Sequence, residues 1–187
     1  MSVPALPEHI DLGARQLRAW RLDDLAAVTE AIDRNRAHLG AFMGWSATAS
    51  EAQNRDWLQM AVEGWATNRD FLYAITDPDD REIWGSIGLH GRRGPGRMEL
   101  GYWVGAGHLR SGHATAASGA LVALAFTNLP GIRAVEIRCD VSNRASAGVP
   151  RRLGFRLDRI VAEPLRAPAE TGRFMVWIRE RPVPRRR

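Results

Sequence analysis

The fold is decided by the stretch Gly101-Tyr102-Trp103-Val104-Gly105-Ala106-Gly107-His108-Leu109-Arg110-Ser111-Gly112-His113-Ala114-Thr115, which an apolar run to Phe126 follows. Its aromatic and β-branched start predicts a strand, which the glycines end. A helix then begins with no acidic side chain in its first turn, and a helix N-terminus has backbone N–H groups that can bind an anion. Two interpretations stay open from this stretch alone, an ordinary strand-to-helix connection and a binding site for a phosphate group.

Length and composition indicate one globular domain. The chain has 187 residues, of which 45% are hydrophobic, enough for a proper core. No apolar run has membrane-spanning length, and the N-terminus lacks the pattern of a signal peptide, so we expect a cytoplasmic protein with no membrane partner. The single Cys139 allows no internal disulfide, and we expect it to be a small buried hydrophobe.

The charged residues favour an acidic small ligand over nucleic acid. All 26 basic residues are arginine, there are 21 acidic residues, and the net charge is +5. A positive balance favours encounter with a nucleotide-bearing cofactor. The arginines are scattered rather than gathered in blocks, so we expect no nucleic-acid partner. The one run lies in a Pro-rich tail, residues 182–187, which we expect to be disordered.

Hydrophobic periodicity and turn residues divide the rest of the chain. We predict an irregular N-terminal segment, residues 1–14, and one domain over residues 15–181 with an α/β (α+β) architecture. Asp23 is predicted to cap the first helix, and Ser50 with Gln53 has the capping-box form at the start of the second. The four predicted helices span 23–39, 51–67, 114–126 and 143–153, and the seven predicted strands span 16–20, 71–76, 82–90, 98–104, 134–141, 155–162 and 172–179.

Several chemical motifs are tested and discarded. Arg110 stands where the third glycine of a dinucleotide-binding fingerprint belongs, and a P-loop needs a lysine, which the chain lacks. The five histidines include no pair in an HExxH frame, so we expect no metal. The sequence around Ser86 lacks the preceding glycine of a nucleophile elbow.

The order of several short motifs resembles the GNAT acyltransferase superfamily. The segments that carry the resemblance are Glu99-Leu100-Gly101-Tyr102-Trp103-Val104, Gly112-His113-Ala114-Thr115, Asn143-Arg144-Ala145-Ser146 and Leu153-Gly154-Phe155. The chain is similar to the branch that acetylates the N-termini of ribosomal proteins (Rim type). The resemblance covers roughly residues 12–181 and includes the segment from Asn35 to Trp45, which is similar to that branch's acceptor-side loop.

The resemblance implies a mixed, mostly antiparallel sheet that splays open after its fourth strand, with an acyl-CoA in the gap. It implies that main-chain groups of Trp103 and Val104 pair with the pantetheine and that Asn143 binds the same arm. The amides expected to hold the pyrophosphate belong to Leu109, Arg110, Ser111, Gly112, His113, Ala114 and Thr115. Acetyl-CoA or another acyl-CoA is the implied co-substrate, and a homodimer is compatible with the resemblance.

The sequence departs from the family pattern at three positions. Leu109 stands where the family usually has Arg or Gln, and Arg110 where it has Gly, so the Arg110 side chain either crowds the phosphates or adds a charge-assisted contact. Pro150 lies inside the short last helix and removes the hydrogen bond to the carbonyl of Ser146. We therefore expect a kink beside Ser146.

The resemblance also implies roles for individual side chains. Ser146 matches the hydroxyl that gives a proton to the leaving thiolate, and the Val104 amide is expected to stabilise the oxyanion. Glu163 is the candidate base, although it is equally interpreted as a solvated loop residue, and Ser146 as an ordinary residue in a first helical turn. The candidate acceptor-side residues are Asn35, Met43, Trp45 and Glu99.

Three functional hypotheses follow. The first is an acyl-CoA-dependent N-acyltransferase that acts on a protein or peptide N-terminus, or instead on a small amine or antibiotic. The second is a non-catalytic acyl-CoA-binding module, which the departures at Leu109, Arg110 and Pro150 leave open. The third, nucleic-acid binding, rests only on charge. The aromatic segment Gly40–Trp45 is either part of the core or the lip of a substrate cleft.

Overall fold

A computed structural model describes residues 5–182 of the chain. Most of the predicted basic tail, from residue 183 on, lies outside the described residues. The helices are α1 (Leu25–Gly40), α2 (Gly44–Ala47), α3 (Glu51–Ala66), α4 (His113–Asn128) and α5 (Arg144–Arg152). The strands are β1 (His9–Asp11), β2 (Gln16–Ala19), β3 (Asp70–Thr76), β4 (Ile83–His90), β5 (Arg97–Val104), β6 (Ala134–Asp140), β7 (Arg156–Ala162) and β8 (Arg173–Glu180).

The eight strands form one sheet in the order β1-β2-β3-β4-β5-β6-β8-β7. All neighbours are antiparallel except β5 and β6, which are parallel. The predicted mixed, mostly antiparallel sheet is confirmed. Seven strands were predicted, and the additional one is β1, which lies inside the N-terminal segment predicted to be irregular. Gly13 at φ 75° lets the chain turn back there, so that Ile10 of β1 pairs with Leu17 of β2.

The sheet opens between β5 and β6. Among the described residues, these strands pair only over Arg97–Glu99 of β5, which align with Ala134–Glu136 of β6. From Leu100 onward, the outer edge of β5 therefore has no neighbouring strand. Because β1 lies outside the predicted set, β5 is the fourth predicted strand, and the splay falls where the sequence resemblance places it.

Apolar side chains form a core on each face of the sheet. One cluster packs α1 and α3 against the sheet through Val28, Ile32 and Leu58, with Trp103 of β5. The other cluster packs α4 on the opposite face, with Leu121 at its centre. Burial on both faces at roughly 25 cal/mol per Å² of apolar surface is the main force that holds the sheet between the helices.

Local signals predicted the helix boundaries well, with one correction. The Ser50 side chain accepts from the Gln53 amide at 3.3 Å, as the capping box predicts. Asp23 does not cap α1, because a 3-10 turn precedes the helix and Asp24 takes the cap position. The Asp24 carboxylate does not cap either, since the buried Arg18 guanidinium binds it at 2.7 and 2.9 Å.

Candidate active site

A cavity of about 620 Å³ fills the opening between β5 and β6. Its walls include Leu100 to Trp103 of β5, Ile137 to Asp140 of β6, and the start of α5. We distinguish two groups of residues at this opening. We call the unpaired edge of β5, the loop and α4 N-terminus that follow it in the chain, and the N-terminus of α5 the helix wall. The second, charged group is defined below.

The register of β4 and β5 determines which main-chain groups face the gap. Gly85 aligns with Val104, and the Gly105 amide donates to the Trp84 carbonyl at 2.8 Å. In an antiparallel ladder, hydrogen-bonded pairs alternate with pairs whose N–H and C=O groups point away from each other. The main-chain groups of Trp103 therefore point to β4, whereas those of Tyr102 and Val104 point into the gap. The register therefore supports the prediction that the Val104 main chain is available to the pantetheine. It does not support the same prediction for Trp103, because the main chain that faces the gap is that of Tyr102 instead.

The N-terminus of α4 has the features of an anion site. Gly112 takes the N-cap position at φ 75°, and no side chain caps the helix. The first turn contains no acidic residue, and a side chain added at Gly107 or Gly112 would meet no atom within 4 Å. The loop amides from Leu109 on are thus open to an incoming phosphate.

Three residues in the loop and the first turn of α4 have surroundings that could not be inferred from their residue types. Arg110 adopts φ 60°, the left-handed conformation for which glycine is favoured, and its side chain is exposed. The His113 ring is buried against Trp84, with ring centroids 4.7 Å apart, so His113 offers its amide rather than its imidazole to a ligand. Thr115 accepts from Arg152 Nε at 3.3 Å, which joins α4 to α5.

Ser146, in the first turn of α5, is contacted by residues from three parts of the fold: the N-cap of α5, β5 and β6. The Asn143 side-chain oxygen accepts from the Ser146 amide at 3.0 Å, so only its NH₂ group remains for a ligand. The Tyr102 hydroxyl lies 3.0 Å from the Ser146 carbonyl oxygen and 3.1 Å from Ser146 Oγ. Cys139 packs in the core beside Ser146, and burial raises the pKa of its thiol.

A charged cluster also borders the gap, and we define it as Arg92, Arg93, Glu99, Arg138, Glu163 and Arg166. These residues line a second cavity of about 630 Å³, which shares part of its lining with the first. Glu99 is buried and pairs with Arg92 at 2.6 Å and with Arg93. Burial alone would raise the pKa of Glu99, but the hydrogen bond and charge of Arg92, with those of Arg93, hold it below its ordinary value.

Glu163, the predicted base, is part of this cluster. One of its carboxylate oxygens binds Arg138 and the other binds Arg166. Both oxygens of Glu163 are therefore engaged by arginines. The sequence could not reveal this, because Arg138 lies on a strand 25 positions away.

The predicted acceptor residues separate into two groups. Met43 lines both cavities, and Trp45 stands at their rim with 49% of its surface exposed. Asn35 lies elsewhere: its side-chain oxygen accepts from the Ala106 amide at 2.7 Å and its nitrogen donates to the Ala31 carbonyl at 2.8 Å. Asn35 therefore fastens α1 to the loop before α4.

His90 is a functional candidate that sequence reasoning missed. It lines the first cavity, and its Nε2 lies 3.9 Å from where a Cβ on Gly101 would be. Burial and the charge of Arg92 lower the pKa of His90, against the opposite effect of Asp70 and Glu99. The imidazole is therefore neutral at pH 7 and able to accept a proton. The feature that could have identified His90 is its place on the same strand face as Gly88 and beside Gly101, two residues without side chains.

Residues 5–182 contain no group of three or more His, Cys, Asp or Glu side chains that could hold a metal ion. No helix in this part of the chain is long and apolar enough to cross a membrane.

Comparison with known families decides the class. A family model described as "Acetyltransferase (GNAT) domain" matches residues 15–156, most of the 187-residue chain. The chain belongs to the GNAT acetyltransferase family. Family membership makes the chain an N-acetyltransferase with acetyl-CoA as its co-substrate, rather than a non-catalytic binding module. The main-chain edge of β5 and the uncapped α4 N-terminus fit that co-substrate.

Similar proteins include Rim-type enzymes. The "Putative ribosomal N-acetyltransferase YdaF" of Bacillus subtilis (strain 168) is 29% identical over 155 residues, which cover 79% of this chain and 78% of YdaF. The structure of RimL, a ribosomal L7/L12 alpha-N-protein acetyltransferase in complex with coenzyme A, has a TM-score of 0.83 and 21% identity, over 92% of this chain and 98% of RimL. The structure of the microcin C7 self immunity acetyltransferase MccE, in complex with acetyl-CoA and AMP, has a TM-score of 0.82 and 17% identity, over 96% of this chain and 99% of MccE.

Proposed function

We propose that this GNAT acetyltransferase transfers the acetyl group of acetyl-CoA to the N-terminal α-amine of a protein or peptide, by direct attack and with no covalent enzyme intermediate. The observation that carries the proposal is the arrangement of the gap, where one cavity is lined by Tyr102 and Ser146 and reaches the aromatic rim at Trp45. The Val104 N–H lies on the same unpaired edge of β5 as the main chain of Tyr102. The similarity to YdaF, a putative ribosomal N-acetyltransferase, and to RimL, an alpha-N-protein acetyltransferase, adds support.

The helix wall holds the donor in this proposal. The amides from Leu109 to Thr115 bind the diphosphate, the Asn143 NH₂ group and the main chain of Tyr102 bind the pantetheine arm, and the Val104 N–H lies at the reacting end. Bound acetyl-CoA supplies the thioester carbonyl that the amine attacks. A preorganised amide aimed at the developing oxyanion is a large source of rate enhancement.

The acceptor amine must lose a proton during the reaction. An α-amine has a reference pKa of about 7.7 to 8.0, so a sizeable share is neutral at pH 7, whereas a lysine amine near about 10.4 is almost wholly charged. A modest base is therefore enough. His90 is the base in our proposal, directly or through a water molecule, because it is neutral and faces the cavity. Glu163, the base predicted from the sequence, is the alternative.

Ser146 gives its proton to the departing sulfur and regains one from water in the open cavity. Ser146→Ala should lower kcat by roughly a hundredfold, a usual size for acid catalysis, and leave the affinity for CoA unchanged. Single-turnover kinetics with calorimetric titration of CoA separate the two quantities. Full turnover in this variant would remove Ser146 from the mechanism.

The type of acceptor is tested with matched amines. The protein is incubated with acetyl-CoA and a peptide that has a free N-terminus, with the same peptide blocked at its N-terminus but carrying a lysine, and with an aminoglycoside. We expect mass spectrometry to find the acetyl group on the free N-terminus only. Transfer to the aminoglycoside alone would assign the enzyme to small amines instead. The homodimer stays a prediction, which light scattering tests.

A further inference from the structure

The Tyr102 side chain crosses the open gap and contacts α5. Its hydroxyl lies within hydrogen-bond distance of two atoms of one residue, the carbonyl oxygen of Ser146 at 3.0 Å and Ser146 Oγ at 3.1 Å. Tyr102 is on β5, and Ser146 follows it by 44 positions, so the contact joins two elements that the splay separates.

Pro150 explains why the Ser146 carbonyl needs this donor. In a regular helix that carbonyl would accept from the amide at position 150, but proline has no N–H. Pro150 is buried and lies within α5. A carbonyl that loses its partner inside a protein is costly, and the Tyr102 O–H supplies the donor that the proline removed. The departure at Pro150 and the tyrosine therefore form one unit.

The same contact holds Ser146 Oγ in place. A serine or tyrosine hydroxyl has one hydrogen to donate and lone pairs that accept from others. The Tyr102 hydrogen is donated to the Ser146 carbonyl, and the 3.1 Å contact between the two hydroxyl oxygens fixes where Ser146 Oγ lies. Burial raises the pKa of Tyr102, which keeps the phenol protonated and therefore a donor at every pH at which the enzyme works.

We propose that Tyr102 is a positioning residue, whose hydroxyl replaces the hydrogen bond lost at Pro150 and so holds Ser146 Oγ in the place from which it protonates the leaving sulfur. This inference rests on the proposed role of Ser146. Tyr102 itself transfers no proton in it.

The kinetic test uses the two tyrosines of the chain. Tyr102→Phe removes only the hydroxyl, and we expect kcat to fall by about three- to tenfold, the effect of one hydrogen bond, with unchanged KM values and CoA affinity. In the Ser146→Ala background, Tyr102→Phe should have no further effect on kcat, because Tyr102 acts through Ser146. Tyr73→Phe is the matched control: its hydroxyl also donates to a backbone carbonyl, that of Pro7 at 2.8 Å, so it should lower stability and leave kcat intact.

A second test needs no substrate. Pro150→Ala restores an amide for the Ser146 carbonyl, so Tyr102→Phe should shift the urea unfolding midpoint less in that background than in the wild type. Equal shifts in both backgrounds, or a wild-type kcat in Tyr102→Phe, would overturn the inference. If the wild type acetylates no amine, the proposed function fails, and the unfolding cycle still decides whether Tyr102 replaces the lost amide.

Discussion

The two sides of the gap are built from different chemical groups. The helix wall presents main-chain amides of Val104 and of the loop before α4, whose positions depend on backbone conformation. The charged cluster presents side chains from separate parts of the chain, in which Glu99 and Glu163 each pair with two arginines. The first side therefore tolerates changes of side chain, whereas the second depends on which residues tertiary folding brings together.

The largest effect is expected from a change in the backbone of the helix wall. Val104→Pro removes the N–H that faces the gap but no β4–β5 ladder bond, because that amide points away from β4. We expect acetyl transfer to fall by roughly a hundredfold to a thousandfold, the usual loss for one oxyanion donor. Val104→Ala is the control, since it trims the same side chain, keeps the amide and should retain most activity. If both variants were equally active, main-chain binding on this wall would be wrong.

The next largest effect distinguishes His90 from Glu163 of the charged cluster as the general base. His90→Gln should lower kcat at pH 7 by about a hundredfold, because general bases contribute on that scale. In the wild type, kcat should fall as the pH decreases through the pKa of His90, which lies below its ordinary value of 6.5, because protonation removes the base. A pH–rate profile shows this limb, and His90→Gln should lack it. Retention of the limb in His90→Gln, with its loss in Glu163→Gln, would return the role to Glu163.

An effect on stability is expected at Asp140, at the end of β6 beside the gap. The Asp140 carboxylate accepts from the Ser142 amide at 2.9 Å and from the Thr171 amide at 2.8 Å. Burial opposes ionisation, but these amides and both hydroxyls lower the pKa of Asp140 from 3.8 to about 2. Because the folded pKa is the lower one, the stabilisation is present above pH 4 and is lost as the pH falls toward 2.

Asp140→Asn should therefore reduce the free energy of unfolding by about 2 kcal/mol at pH 7, since each pKa unit is worth about 1.4 kcal/mol. Urea denaturation at several pH values measures this difference, which should narrow as the pH falls from 5 to 3. A difference that did not depend on pH would show that the loss comes from packing rather than charge.

The smallest effect concerns the side chain that departs most from the family pattern. Arg110→Gly removes a side chain from a residue at φ 60°, so the free energy of unfolding should rise by up to about 1 kcal/mol. Its affinity for CoA should change by no more than a few fold, because the amide stays. Arg110→Ala keeps the strained conformation and separates the loss of charge from the relief of strain. A large loss of affinity in both variants would show that the guanidinium, not the amide, binds the phosphates.

Features that depend only on residues close together in the sequence were predicted from the sequence. The Ser50 cap and the strand, loop and helix around Gly112 need only local chain geometry. The loss of a helical bond at Pro150 was also predicted, because proline lacks an N–H whatever its surroundings. What could not be predicted was its replacement by Tyr102, on a strand that only the folded sheet brings near.

Features that depend on pairing between distant elements were missed or changed. Whether Trp103 or Tyr102 faces the gap depends on the register of β4 and β5, and a shift of one residue reverses the answer. Asn35 has a side chain suited to bind an acceptor, but in the fold it holds the Ala106 amide. Glu163 is held by arginines from two other positions, which no motif encodes.

We propose that acetyl-CoA binds along the helix wall through main-chain amides. Hydrogen–deuterium exchange, followed with and without acetyl-CoA, tests this most directly because it observes those amides. We expect acetyl-CoA to slow exchange in the peptides that contain Val104 and residues 109–115, and to leave exchange in β7 unchanged. Tight binding of acetyl-CoA with no protection in either peptide would contradict this binding mode and place the donor elsewhere.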